Sequence, residues 1–308
     1  MRYDIMAVMF NYLLSFITGA VISLMVVANT QFGVATSTEV STIINQAVGI
    51  IVLTLLMVIL RKNRKLCPER KKSHWYMYFG GIFGLFILTF NYYTVTAVGA
   101  TLAMALAVFG QSLVGLIFDL TGLFGMEKKR ITGVKWCSLA VSFAGILVMS
   151  ILSGGAFRPL YLLMGLAAGA LTMTQMVYNS TFAKAKGPLF SARQNVISGL
   201  IGMVIFSFIT KPSETMNALR AVPSVPFFLI VGGGVLACWV VVCTNIVIPK
   251  IPAVYSALLL SAGQLIASLI LDTVIYSTFT PALLIGSIIM MAGMFLSFLS
   301  DRKEAKRQ

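Results

Sequence analysis

The amino-acid sequence predicts an all-α integral membrane protein with ten transmembrane helices, arranged as two five-helix repeats of inverted topology. Three observations predict this fold class: a very apolar composition, long stretches without charged residues, and polar residues that recur at a nearly constant spacing. Of the 308 residues, 58% are hydrophobic and 10% are charged, whereas about a quarter of the residues in a typical soluble domain are charged. The chain therefore has too little polar surface for a water-soluble fold.

Nine long stretches of the chain contain no Asp, Glu, Lys, Arg or His. A helix needs about 20 residues to cross the hydrocarbon core of a bilayer, so eight of these stretches hold one span each. The stretch 75–118 has 44 residues and holds two spans, separated by a turn near Thr94–Gly99. The nine stretches are 5–38, 40–60, 75–118, 136–157, 159–183, 194–210, 221–249, 251–271 and 273–300.

The net charge of +14 follows from the placement of the basic residues. Such a charge indicates nucleic-acid binding in a soluble protein, but in membrane proteins Lys and Arg collect in cytoplasmic loops. With a cytoplasmic amino terminus, twenty of the 23 Lys and Arg residues fall on that side, and only Arg158, Lys211 and Arg220 fall on the other. The sequence thus predicts a multi-pass protein of the cell (inner) membrane with both termini cytoplasmic. We interpret the first span as a retained helix and not as a signal peptide.

The two halves of the chain, 1–155 and 156–308, carry the same polar residues at matching positions. Apolar residues often match by chance, whereas Asn, Gln and Asp inside apolar segments rarely do. Each half contains five predicted helices, and because five is odd, the second half must cross the membrane in the opposite sense. A shift of 150 residues aligns Gly19 with Gly169, Asn29 with Asn179 and Asn45 with Asn195, and a shift of 153 aligns Gly80-Gly81 with Gly233-Gly234, Gln111 with Gln264 and Asp119 with Asp272.

Inverted repeats of this kind are typical of secondary transporters, which bind substrate near the membrane midplane between the halves. When two similar halves exchange their conformations, an inward-open protein becomes an outward-open one. The repeat therefore predicts transport by alternating access.

The sequence resembles the drug/metabolite transporter superfamily, and in particular its YdcZ-like branch of inner-membrane exporters. The segment Phe109–Gly122 carries most of the resemblance, with Gly110-Gln111 followed by Asp119, and Ala262–Asp272 repeats it. Many members of that branch are single five-helix proteins, and this chain resembles the fused form over roughly residues 10–300. The second copy departs after Asp272, where Thr-Val-Ile replaces the Leu-Thr-Gly that follows Asp119. The resemblance implies export of a small solute.

Polar side chains inside the apolar spans are the candidate substrate-binding residues, because lipid offers an amide no hydrogen-bond partner. Gln111 and Gln264 lie near the middle of the fourth and ninth spans, where the alternative role is a hydrogen bond between helices. Asn29 and Asn179 lie closer to predicted helix ends, where an amide can serve as a cap. The further candidates for substrate binding are Asn45, Asn195, Asn91, Asn245, Tyr92, Tyr178 and Trp239.

Asp119 and Asp272 are the candidates for gating or proton coupling, because carboxylates within a membrane are costly and usually functional. The predicted topology places Asp119 near the cytoplasmic end of the fourth span and Asp272 near the external end of the ninth. The alternative for each is a carboxylate at headgroup level that caps a helix or pairs with a loop cation.

The predicted site favours a neutral or cationic solute, since no Lys, Arg or His falls in the middle of a span. Aromatic side chains could add cation–π contacts to a cationic one. The four cysteines lack metal-ligand spacing, and we predict no cofactor. Ten helices can enclose a site, so a monomer is sufficient and a homodimer stays open.

Two other functions stay open at the level of sequence. A membrane-embedded enzyme acting on lipid or isoprenoid substrates would need clustered carboxylates with a metal, or a nucleophile with a base. Two isolated Asp residues without an intramembrane His argue against that function. A non-transporting partner subunit is less favoured, because it does not explain why polar residues match in both halves.

Overall fold

The structure is a computed structural model, and it describes residues 2–63, 72–123, 132–152, 158–247 and 253–305. These residues form eleven α-helices and two short 3-10 helices, Trp75–Phe79 and Val222–Ser224. The α-helices are α1 (Arg2–Ala35), α2 (Thr38–Ile59), α3 (Gly81–Val98), α4 (Ala100–Thr121), α5 (Gly133–Leu152), α6 (Pro159–Lys186), α7 (Pro188–Thr210), α8 (Pro212–Ala221), α9 (Phe227–Val247), α10 (Ala253–Val274) and α11 (Pro281–Ala305).

Ten of these helices correspond to the predicted spans. Nine described helices are long and apolar enough to cross a membrane, and the number is ten when Pro212–Ser224 and Phe227–Val241, which meet at 105°, count as one span. The helix α9 alone has 21 residues, about 31 Å at 1.5 Å per residue, which matches the hydrocarbon core. The all-α fold with ten spans is confirmed, and the short α8 is an addition that the sequence did not predict.

Glycine and proline set two of the turns between helices. Gly99 has a φ of 84°, which residues with a Cβ rarely adopt, and it separates α3 from α4 within the predicted turn. Gly187 has a φ of 89° and separates α6 from α7, whose first residue is Pro188. Because proline is well suited to the first turn of a helix, α7 starts before the charge-free stretch 194–210.

The two halves of the chain are interleaved. The helix α1 packs against α9 and α10 of the second half, and its counterpart α6 packs against α3 and α4 of the first half. The remaining large contacts join counterparts directly, α2 with α7 and α5 with α11. Neither half therefore buries its polar helices without the other.

The packed core lies around α4. All residues from Ala100 to Gly110 are buried, and Leu106 and Phe109 form a cluster with Met149 of α5, Leu265 of α10 and Met290 of α11. This cluster leaves the opposite side of α4 to the amide residues described below.

Glycines allow the closest crossings between the halves, and these crossings obey the repeat. A Cβ on Gly169 of α6 would overlap the backbone carbonyl of Ala107 in α4. At the matching crossing, a Cβ on Gly19 of α1 would overlap the carbonyl of Leu260 in α10. Small residues let membrane helices approach in this way, so the matched glycines of the sequence correspond to matched helix contacts.

The crossing at Gly169 should be sensitive to one methyl group. We expect Gly169→Ala to lower the thermal unfolding temperature of the detergent-purified protein, because overpacking costs about 1–3 kcal/mol. Gly232→Ala is the matched control, since a Cβ at Gly232 meets nothing within 4 Å and alanine favours the helix by about 1 kcal/mol. Equal unfolding temperatures for the two variants would contradict the packing described here.

Candidate functional site

A cavity of about 380 Å³ lies between the two halves of the bundle, a size typical of small-molecule sites. Residues of α1, α2, α3 and α4 line it together with residues of α6, α7, α9 and α10. None of its described lining residues carries a formal charge. Its lining contains nine side-chain amides: Asn29, Asn45, Gln46, Asn91, Gln111, Gln175, Asn179, Asn195 and Gln264.

Five of the predicted substrate-binding residues meet at this cavity. They are Gln111, Gln264, Asn45, Asn195 and Asn91. Residues from both halves, between 20 and 219 positions apart in the sequence, thus line one cavity, as the repeat predicted for a site between halves. Whether they bind substrate stays a prediction.

The other four predicted binding residues have different surroundings. Tyr92 lines a narrow recess that adjoins the cavity between α1, α2 and α3. The hydroxyl of Tyr178 donates a hydrogen bond to the backbone carbonyl of Tyr76, and Trp239 is 48% exposed on the outer surface of α9. Neither of these two is among the described lining residues, and the side chain of Asn245 lies outside the described part of the structure.

Two asparagine pairs occupy equivalent positions in the two halves. Asn45 Nδ2 donates to Asn29 Oδ1 at 2.7 Å, and Asn179 Nδ2 donates to Asn195 Oδ1 at 3.1 Å. Asn29 and Asn179 therefore pair with the next helix and do not act as helix caps. Each pair leaves part of its hydrogen-bonding capacity for other groups in the cavity.

A serine fixes each of these pairs to the backbone. The Ser41 hydroxyl donates to the backbone carbonyl of Asn29 at 2.8 Å, and the Ser191 hydroxyl donates to that of Asn179 at 2.9 Å. The two corners, α1 with α2 and α6 with α7, thus share the same serine bond, while donor and acceptor of the asparagine bond are exchanged between them.

A glycine of the opposite half covers each asparagine pair. A Cβ on Gly80 would lie 2.5 Å from Asn179 Oδ1, and a Cβ on Gly233 would overlap Asn29 Oδ1. The glycine pairs of the sequence therefore permit close packing within the spans, and the contact between halves is again repeated.

The sequence did not identify two of the cavity amides, Gln46 and Gln175. Gln175 Nε2 donates to the Gly80 carbonyl at 3.0 Å and to Asn195 Oδ1 at 3.1 Å, and Gln46 is 5% exposed. A search for matching residues misses both, since the shift of 150 pairs them with Val196 and Met25. The rule that lipid gives amides no partner, applied to each span separately, would have found them.

Asp272 joins the end of α10 to the beginning of α4. Its carboxylate accepts hydrogen bonds from the backbone N–H groups of Ala100 and Thr101, both at 2.7 Å, and the residue is 1% exposed. A carboxylate at a helix N-terminus is favoured by the helix dipole. A Cβ at Gly99 would lie 3.3 Å from both carboxylate oxygens, so glycine suits this position for space as well as for its φ.

Asp119 forms an ion pair with Lys135 of α5 at 3.1 Å, and both side chains are largely buried. The observed contacts correspond to the alternatives considered for the two aspartates. Asp272 caps a helix, and Asp119 pairs with a cation. Gating or proton coupling by Asp119 and Asp272 stays a prediction.

Another ion pair, unlike that of Asp119, joins the two halves. It lies at the Gly99 end, which is the end of the bundle where α3 turns into α4. Lys211, which follows α7, lies 3.3 Å from Glu39 in the first turn of α2. The hydrogen bond to Glu39 and its negative charge raise the pKa of Lys211 above the ordinary value. The stability that the Lys211 charge gains from this pair is therefore present at neutral pH and is lost as the pH rises through the raised pKa.

The Asp272 cap should contribute more stability than the Asp119 ion pair. We expect Asp272→Asn to lower the thermal unfolding temperature, because an amide offers one acceptor oxygen where two N–H groups need one each, and charge-assisted bonds contribute about 1.5–3 kcal/mol. The control Asp119→Asn should cause a smaller decrease. Differential scanning fluorimetry would refute the assignment if Asp119→Asn were the more damaging change.

Two interleaved five-helix halves around a polar central cavity define the class of membrane transporters with inverted repeats. The family described as "Putative inner membrane exporter, YdcZ", a branch of the drug/metabolite transporters, matches residues 10–148 and 160–296. The chain belongs to this family, in the fused form with two repeats. It is a multi-pass protein of the inner membrane.

No curated protein matches the chain. One protein with a crystal structure is similar to it with a TM-score of 0.54 at 17% sequence identity, over 92% of this chain and 97% of that chain. At this identity the likeness supports the fold alone.

Proposed function

We propose that this protein is a secondary transporter that exports a small neutral or cationic solute across the cytoplasmic membrane by alternating access. The observation that carries the proposal is the uncharged, amide-lined cavity between two halves whose glycine crossings and asparagine pairs are repeated. The halves are 1–155 and 156–308, and both termini are cytoplasmic.

The repeated contacts support alternating access. The crossings at Gly19 and Gly169 are counterparts with the halves exchanged, and so are the contacts of Gly80 and Gly233 with the asparagine pairs. Two arrangements of similar free energy are therefore expected, related by an exchange of conformation between the halves. A transporter needs two such states with its site open to opposite sides.

The two ends of the cavity differ in this structure. Its lining reaches Ala183 and Pro188, which flank the α6–α7 turn. At the Gly99 end the lining residues stop at Met104 and Asn29. Met104 lies four residues after the start of α4, and Asn29 lies six residues before the end of α1. The contacts of Asp272 and Lys211 join the two halves at this end. In the proposed orientation the Gly99 end is external, so the cavity faces the cytoplasm.

The lining supports the proposed substrate class. Amide oxygens accept and amide N–H groups donate, so the cavity can bind a neutral polar solute, and its oxygens can also face a cation. An anion would find no cationic side chain among the described lining residues and would lose its hydration without compensation.

Alternating access can be tested before a substrate is known. The variant Ala237→Cys, at a cavity-lining position, would be made with the four native cysteines replaced by alanine. We expect a membrane-impermeant maleimide to label it from both sides, in right-side-out and in inside-out vesicles, because the two states expose the cavity in turn.

Two controls fix the sides in this experiment. Asn63→Cys, in the loop after α2, should react only from the cytoplasmic side, and Asn217→Cys, on the exposed surface of α8, only from outside. Labelling of Ala237→Cys from a single side would contradict alternating access and favour a partner subunit.

Transport itself is measured in proteoliposomes on a solid-supported membrane. We expect currents with neutral solutes under a pH gradient or with cationic solutes, and at least about a tenfold weaker apparent affinity in Gln111→Ala and Gln264→Ala, which corresponds to about 1.4 kcal/mol. Asn217→Ala is the control on the surface.

A dicarboxylate or a phosphorylated solute as the best substrate would contradict the proposed substrate class. Loss of the pH dependence of the current in Asp119→Asn or Asp272→Asn would identify a coupling carboxylate.

A further inference from the structure

We infer that Asn29 and Asn91, where the central cavity meets a narrow recess of about 10 Å³, bind an uncharged group of the substrate that both accepts and donates a hydrogen bond, such as a hydroxyl or the outer atoms of a primary carboxamide. We call this recess the Asn29–Asn91 recess; it lies between α1, α2 and α3, and its lining includes Asn29, Asn91, Tyr92, Thr38 and Thr42. The inference rests on the proposed function and specifies which part of a substrate this recess would hold.

Asn29 and Asn91, which line the recess, together carry one donor and one acceptor that no described residue satisfies. Asn29 and Asn91 are each 8% exposed, and both line the recess and the central cavity. Asn29 Oδ1 accepts from Asn45, whereas Asn29 Nδ2 and Asn91 Oδ1 are buried without a hydrogen-bond partner among the described residues. Buried amide groups without a partner are costly, so a ligand that supplies both partners gains free energy here.

In the equivalent corner of the other half, a third amide joins the asparagine pair. Asn195 Oδ1 accepts from Asn179 Nδ2 at 3.1 Å and also from Gln175 Nε2 at 3.1 Å. Gln175 has Met25 as its counterpart, so the corner at Asn29 has no such third amide. The pseudo-symmetry therefore points to the recess at Asn29, and not to its counterpart, as the place where an amide is left for a ligand.

The charges around the recess favour a neutral group over an ion. No Asp, Glu, Lys, Arg or His is among its described lining residues. The carboxylate near its Tyr92 side, Glu39, is paired with Lys211 at 3.3 Å. An ammonium or a carboxylate in the recess would thus be desolvated without an opposite charge, whereas a neutral donor–acceptor group exchanges its bonds to water for bonds to Asn29 and Asn91.

Three probes of nearly equal shape, together with a donor-free amide and an alcohol, test this choice. Isothermal titration of the purified full chain would compare benzamide with benzoate, benzamidinium and N,N-dimethylbenzamide, and benzyl alcohol serves as the hydroxyl arm. For ligands of this size a Kd on the order of 1 mM is expected. We expect benzamide or benzyl alcohol to bind at least about tenfold more tightly than the two ions and the dimethyl amide, a difference of about 1.4 kcal/mol.

Charge substitution in the recess should redirect this preference. Asn91→Asp keeps an acceptor oxygen and adds a negative charge, so benzamidinium should become the tightest of the probes. Asn91→Thr, a milder change, should weaken benzamide if the aspartate variant fails to fold. Asn217→Asp makes the same exchange on the surface of α8 and should leave the order of affinities unchanged.

The outcomes separate this inference from the proposed function. Equal affinities for neutral and ionic probes, or no binding by any probe, would overturn the inference, and water alone would then satisfy the two amides. Selective binding of benzamide together with one-sided labelling of Ala237→Cys would leave the recess assigned and refute the transporter. Two-sided labelling without probe selectivity would refute the recess alone.

Discussion

An amide side chain within a bilayer has no water to bond, so its partner must come from the protein or from a molecule that the protein holds. The central part of this fold follows from that constraint. Nine amides lie along one cavity, and in each half two asparagines form a hydrogen bond with each other. The outer surface of the helices is mostly apolar and is left to lipid. Since each half supplies helices that cover the amides of the other, the polar interior exists only when both halves are folded together.

Close approach of backbones is the second requirement, and glycine supplies it. Gly80 and Gly233 lie against the asparagine pairs of the opposite half, where a Cβ would meet the amide itself. A single set of residue types thus determines helix spacing and the shape of the cavity wall together. This explains why the sequence match between halves includes glycines as well as amides, and why mutations at these glycines would alter packing and site at once.

The number of spans, the turn at Gly99 and the placement of Gln111 and Gln264 at one cavity could be predicted from sequence, because charge-free length and repeated polar residues carry that information. Trp239 could not be placed, since α9 is apolar on all sides and its pattern does not indicate which face meets lipid. The partner of Asp272 could not be predicted either, as it is the backbone of a helix that begins 172 residues earlier. Gln46 and Gln175 escaped because the search required a match in both halves.

These two unmatched glutamines also affect how a molecule can lie in the cavity. In a symmetric pair of identical five-helix chains, the two orientations of a ligand about the twofold axis have the same free energy. Here the repeat aligns Gln46 with Val196 and Gln175 with Met25. The two orientations of a ligand therefore differ in free energy. Fusion of the halves thus makes the two sides of the cavity chemically different. Natural selection can change the residues on one side while those on the other side stay the same.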